Sequence, residues 1–204
     1  MNKAQNKPGR PPNKAQPARS LTASEVHNLF GVCIGKQGLR NRALLSVLFY
    51  SGARIGTALQ LNCEQLADSN GKCRSSFVIQ KCNEKSKRTH RYYIAKPGQK
   101  IIQDYLNSIE LINGLPVFPS PFTGKHITPS SGSTLIKNLL LKANITDTSS
   151  HSGRKTFLTS LYLNSGIGIL ELMKIANHSH PSQTIKYING LTPNIHKAMD
   201  HFKY

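Results

Sequence analysis

The stretch that most limits how this chain can fold is residues 39–52, LRNRALLSVLFYSG. Ala43, Leu44, Val47 and Leu48 recur at helical spacing, and Leu45 and Phe49 widen the stripe until the helix is apolar nearly all round. Such a helix is a core element that other elements have to cover, and Gly52 is the residue that ends it. The rest of the sequence supplies the cover. Thr22-Ala-Ser-Glu25 is a capping box ahead of a short helix whose stripe is Val26, Leu29 and Phe30. RIGTALQL follows Gly52 as a third, short helix. Over residues 76–95 the period changes: β-branched and aromatic ends flank a polar, Lys-rich middle, the pattern of a hairpin. Helical periodicity returns over 100–112, 133–143, 152–165 and 169–176, with a Pro- and Gly-punctuated loop over 116–129. Gly166 stands where a C′ glycine belongs. The expectation is one mainly α domain over residues 21–190 carrying a small antiparallel β-hairpin, an α+β fold with no internal repeat and no second core.

Charge narrows the partner. Lys and Arg number 27 against 9 Asp and Glu, a formal net charge of +18, which opposes compaction and suits a polyanionic partner such as nucleic acid. Residues 1–20 hold Lys3, Lys7, Arg10, Lys14 and Arg19 with no acid and little to bury, and read as a disordered basic arm that either lies along DNA phosphates or serves only as a solubilising tail. No apolar run reaches the ~18 residues of a membrane span, and the basic, Pro-rich start has no apolar stretch behind it. The expected setting is therefore cytoplasmic and nucleoid-associated. Cys33, Cys63, Cys73 and Cys82 contain no C-x-x-C pair, so spacing supports no structural zinc and they read as reduced thiols.

The chemistry concentrates in HSGRKTFLTSLYLNSGIGILELMKIANHSHPSQTIKYI. Phe157, Leu158, Leu161 and Tyr162 form an apolar helix face, with His151 and Arg154 three residues apart at its start. One turn can present both to the same point, and a helix N-terminus favours an anion there. His178 and Tyr187 follow, nine residues apart around a Pro181-Ser182 turn. Order and spacing together closely resemble the C-terminal signature of the tyrosine recombinases of the phage-integrase family: His-x-x-Arg, a helix, Leu-Gly-His-Ser, and Tyr nine residues after the His. ALLSVLFYSGARIGTALQL resembles the family's helix and Thr-Gly-x-Arg turn, which puts the first catalytic arginine at Arg54. LTASEV resembles the Leu-Thr-x-x-Glu opening of the catalytic domain, and the hairpin resembles the one that carries a catalytic lysine. The resemblance covers residues from about 20 to 190. Three positions depart from it: Thr57 stands where an acidic residue is usual, Ala176-Asn177 replaces Leu-Gly, and Lys155 replaces a frequent His. The separate N-terminal core-binding domain is not represented, a layout like that of the small fimbrial-switch DNA invertases.

What the resemblance implies is a site-specific recombinase that cleaves and rejoins double-stranded DNA through a 3′-phosphotyrosine on Tyr187. Arg54 and Arg154 then bind the non-bridging oxygens of the phosphate with bidentate guanidinium forks. His151 acts as general base, later as acid, and His178 donates to the phosphate. The departing 5′-oxygen takes its proton from a hairpin lysine. Lys85 is favoured, with Lys81 and Lys87 as the other candidates. Lys81, Lys87, Arg88, Lys155 and Lys186 are the further DNA-contact candidates. One ester replaces another and two arginines hold the phosphate, so neither ATP, metal nor other cofactor is expected; nor is a membrane or a small-molecule substrate. The expected assembly is a homotetramer on DNA, with residues 191–204 as a C-terminal helix that docks in cis or is exchanged between protomers. Two other readings share the charge and fold: a non-catalytic DNA-binding regulator, and a type IB topoisomerase-like strand-passing enzyme.

Overall fold

The computed structural model describes residues 18–80 and 89–188. Its centre is α2 (Gly38–Ser51), where Ala43, Leu44, Leu45, Val47 and Leu48 have essentially no exposed surface. The enclosure comes from α3 (Ile55–Leu59), α5 (Lys96–Leu106) and α7 (Ser152–Asn164), all packed on α2. Even the polar start of α2 is covered. Arg40 is buried, donating from Nη1 to Pro119 O at 3.0 Å and from Nη2 to Asn41 Oδ1 at 3.0 Å. It thereby straps the 116–129 loop onto the core.

At the amino end, α1 (Ala23–Gly31) starts with the predicted capping box: Glu25 N donates to Thr22 Oγ1 and Thr22 N to Glu25 Oε2. Arg19, counted by sequence with the basic arm, pairs with Glu25 at 2.5 Å and holds its carboxyl down at about 2. Ser20 shares a hydrogen bond with Thr159, and Leu21 N donates to Thr156 Oγ1 at 2.8 Å. The last residues of the arm are thus fastened to α7, while residues 1–17 lie outside the described chain.

The hairpin strands are β1 (Ser76–Ile79) and β2 (His90–Tyr93), antiparallel with Ser76 opposite Tyr93 and Ile79 opposite His90. Phe77 and Tyr92 turn inward and stack at 5.1 Å, pinning the pair to the core. Residues 81–88 between the strands lie outside the described chain.

Four expectations need correction. The helix expected over 100–112 is α5, which begins at Lys96 and stops at Leu106. Its start is marked by Pro97 in the first turn, and Ile109 and Leu111 reach the core from the segment after it. Likewise α6 (Pro129–Lys142) begins at Pro129 with Thr128 as N-cap, not at Ser133. A four-residue helix, α4 (Cys63–Leu66), was not expected; it carries no periodic signal, and its start is closed by Asn62 N donating to Gln65 Oε1 at 2.9 Å. Finally, there is a second core. Leu158, Leu172, Ala176 and Ile188 bury one another where α7 meets α8 (Ile169–Ile175) and α9 (Pro181–Ile188), apart from the main cluster. Gly166 ends α7 in the left-handed region, φ +67°, as expected. Among the described residues no helix is long and apolar enough to cross a membrane.

Candidate active site

Arg54 is placed by the turn that ends α2. Ser51 Oγ donates to Val47 O at 2.6 Å and accepts from Ala53 N at 3.3 Å, and Gly52 takes a left-handed φ of +66°. A Cβ on Gly52 would lie 2.5 Å from the Phe157 ring, so both conformation and space require glycine there. Two residues on, Arg54 is the half-buried N-cap of α3, and Thr57, standing where an acid is usual, is buried.

Arg154 lies in the first turn of α7 and is 2% exposed. The turn can come this close to α2 because residue 153 is glycine; a Cβ there would lie 3.0 Å from the Phe49 ring. Arg154 Nη1 donates to Gly52 O at 2.7 Å, while Nη2 donates to Ala176 O and to His178 Nε2, the latter at 3.1 Å. Its acceptors are therefore neutral, and among the described residues no carboxylate pairs with it. Burial, then the neighbouring Arg54 charge, push its pKa down, with Tyr187 and Tyr92 opposing. A guanidinium stays charged under such pressure. The result is a desolvated cation beside a second cation, the field a phosphate relieves.

His178 is placed by the C-terminus of α8. Ala176 is the C-cap, Asn177 follows in the left-handed region at φ +49°, and two bonds close the motif: Asn177 N to Lys174 O and His178 N to Met173 O, each 3.1 Å. This is a Schellman turn. The departure from Leu-Gly is thereby explained, since after glycine Asn enters this region most readily. Arg154 has no lone pair, so His178 Nε2 accepts in their contact and the ring proton is on Nδ1, which donates to Thr184 Oγ1 at 2.9 Å. Burial, then Arg154 and Arg54, push the His178 pKa down to about 4, so the ring is neutral at pH 7.

Tyr187 rides on α9. Sequence suggests only a turn at Pro181-Ser182, but Pro181 opens a helix that continues to Ile188. The Tyr187 ring stacks on His178, centroids 5.4 Å apart and planes at 28°. Its carbonyl accepts from Thr159 Oγ1 at 3.4 Å, which ties α9 to α7. From the other side β2 approaches: His90 Nε2 donates to Ile175 O at 3.3 Å and its ring meets Tyr92 edge-on at 4.5 Å.

The fold thus gathers Arg54, Arg154, His178 and Tyr187. His151, the N-cap of α7, is exposed one turn from Arg154. Lys155 is half-buried on α7 and Lys186 exposed on α9. Lys81, Lys85, Lys87 and Arg88 fall in the undescribed segment, whose flanking strand ends at the site. Four residues at the site carry no sequence prediction: Thr184, Thr159, His90 and Tyr92. Thr184 was within reach, because a helix begun at Pro181 puts it one turn before Tyr187. An apolar groove of about 920 Å³ between α1, α5 and α7 is lined by none of the gathered residues.

Comparison with known proteins bears on the fold and the family. The chain is 23% identical over 176 residues to tyrosine recombinase XerC of Herpetosiphon aurantiacus, covering 83% of this chain and 55% of the relative. It is 27% identical over 174 residues to XerC of Staphylococcus carnosus, covering 80% and 54%. The chain thus spans about half the length of the curated relatives it matches. In structure it resembles the XerA recombinase, with a TM-score of 0.70, 24% identity, and coverage of 92% of this chain and 68% of that one. It also resembles the catalytic domain of bacteriophage HP1 integrase, with a TM-score of 0.61, 19% identity, and coverage of 91% and 95%. The profile of the phage integrase family matches residues 19–192, a span that holds every one of the gathered residues, and the chain belongs to that family.

Proposed function

We propose that this chain is the catalytic domain of a site-specific recombinase that cuts and rejoins double-stranded DNA through Tyr187. The observation that carries the reading is one line of contacts: the Tyr187 ring lies on His178, and His178 is hydrogen-bonded to Arg154. A nucleophile therefore stands beside a desolvated cation in a chain of net charge +18. Tyr187 Oη forms a bond to phosphorus as the bond to the 5′-oxygen breaks. His151 takes the phenol proton, and Lys85, or else Lys81 or Lys87, protonates the 5′-oxygen. Attack by a 5′-hydroxyl reverses the step and needs no ATP. Arg54 and Arg154 stabilise the added negative charge. For His178 to donate to the phosphate, Arg154 must first release its Nε2, and the phosphate charge raises the ring's pKa to favour that change.

Trapping on a nicked suicide duplex drawn from DNA flanking the gene tests the reading. Wild type should give a covalent adduct, and Tyr187→Phe none, with DNA affinity within a few-fold. An adduct persisting in Tyr187→Phe would overturn it. Arg54→Lys and Arg154→Lys should each slow cleavage about 10²- to 10³-fold, because an ammonium cannot form the fork. Near-normal cleavage by both would count against their role. Arg154→Lys also loses carbonyl contacts to Gly52 and Ala176, so thermal melting of each variant separates chemistry from stability. Lys155, Lys186 and the hairpin cations are assigned to phosphate contacts, and assembly on paired DNA sites to a homotetramer. The proposed exchange helix, residues 191–204, lies outside the described residues.

A further inference from the structure

Thr184 has no accessible surface, lies on α9 one turn before Tyr187, and takes no part in the proposed bond-making. Its hydroxyl is the hydrogen-bond partner of His178 Nδ1, at 2.9 Å. The opposite ring nitrogen faces Arg154 Nη2 at 3.1 Å, and the ring face lies on Tyr187 at 5.4 Å. Three side chains, two of them on α9 and one on α7, therefore hold one imidazole. Were the proton on Nε2 instead, two donors would face each other in a desolvated site, and Nδ1 would need a donor. Arg154, which can only donate, removes that alternative, and the Thr184 hydroxyl, able to donate or accept, receives the Nδ1–H that remains.

We propose that Thr184 is a positioning residue: by accepting the His178 Nδ1–H it directs the Nε2 lone pair at Arg154 and sets where α9 carries Tyr187 against the ring. The role persists through the reaction. Whether the ring is neutral or cationic, Nδ1 keeps its proton and Thr184 keeps accepting, so the ring holds its direction when a phosphate draws Arg154 away. Such partners of a functional histidine fix tautomer and orientation together. A Thr184 that merely fills space predicts the opposite mutational pattern. Valine keeps the volume and loses the hydroxyl, whereas serine keeps the hydroxyl and leaves a methyl-sized gap.

The test uses the full chain labelled with [15N]histidine, as wild type, Thr184→Val and Thr184→Ser. Long-range 1H–15N spectra report which nitrogen of His178 carries the proton. Wild type and Thr184→Ser should show the Nδ1–H form, and Thr184→Val a shift toward Nε2–H. The kinetic arm rests on the proposed function: on the nicked duplex, Thr184→Val should cleave about 10- to 100-fold more slowly at unchanged DNA affinity, the scale of a buried donor left unsatisfied. Thr184→Ser should recover most of that loss. An Nε2–H ring in wild type overturns the proposal even if a variant fails to fold. So does a Thr184→Val that keeps the Nδ1–H form and the wild-type rate, or a Thr184→Ser that behaves as Thr184→Val should. If no protein cleaves, the recombinase reading fails while the nitrogen spectra still decide the place of Thr184.

Discussion

The two cores of this domain are unequal, and the candidate site is divided between them. Arg54 and the carbonyl of Gly52 belong to the turn that leaves α2, whose residues 43–49 are all buried. His178 and Tyr187 belong to α8 and α9, where the buried apolar residues, among those described, are Leu158, Leu172, Ala176 and Ile188. Arg154 joins the halves, one nitrogen on Gly52 and the other on Ala176 and His178. The difference teaches how such a site can be both rigid and adjustable. Arg54, proposed to bind charge, sits on the thick core, and Tyr187, the proposed nucleophile, sits on a thin one, the kind of unit that opens locally before the whole domain does.

That comparison can be broken directly. Leu44→Ala, at a position with no exposed surface on α2, should destabilise the whole domain by about 2–5 kcal/mol, seen as one urea transition at lower midpoint. Leu172→Ala, equally buried in the small core, should instead speed amide exchange over residues 169–188 and leave α2 protected. If exchange rises equally in both regions, the two cores are one cooperative unit and the contrast fails.

A smaller effect concerns acid. Burial and the two guanidinium groups lower the His178 pKa to about 4 from 6.5, so on acidification the unfolded chain binds its proton first. Stability should therefore fall as pH drops from 6.5 toward 4 and level off below, distinct from the loss at Glu25, whose pKa of about 2 places it further into acid. Thermal melts of His178→Asn should be flatter across that window; an unchanged slope would mean the ring is not held neutral. The smallest effect is at Asn177. Glycine at this left-handed position should raise stability by a few tenths of a kcal/mol, and alanine should lower it by about 1 kcal/mol, by chemical denaturation. Equal stabilities would show that the small core tolerates a shifted α8 end.

Legibility in the sequence followed the range of the forces involved. Local periodicity and capping chemistry are short-range, so the largely apolar α2, the Thr22–Glu25 box and the glycine stops at 52 and 166 could all be read directly. The starts of α5, α6 and α9 could be read as well, since a proline opens each, although apolar spacing alone sets them too late or misses them. Motif order named Arg54, Arg154, His178 and Tyr187, because a chain's order survives folding unchanged. Tertiary structure alone decided the rest. It set the split into two cores, the clamp of Arg154 on Gly52 and Ala176, and the tautomer that Thr184 and Arg154 together impose on His178. Those contacts join residues up to 102 positions apart, and which donor meets which acceptor across that separation depends on how helices pack, a property no local window of sequence contains.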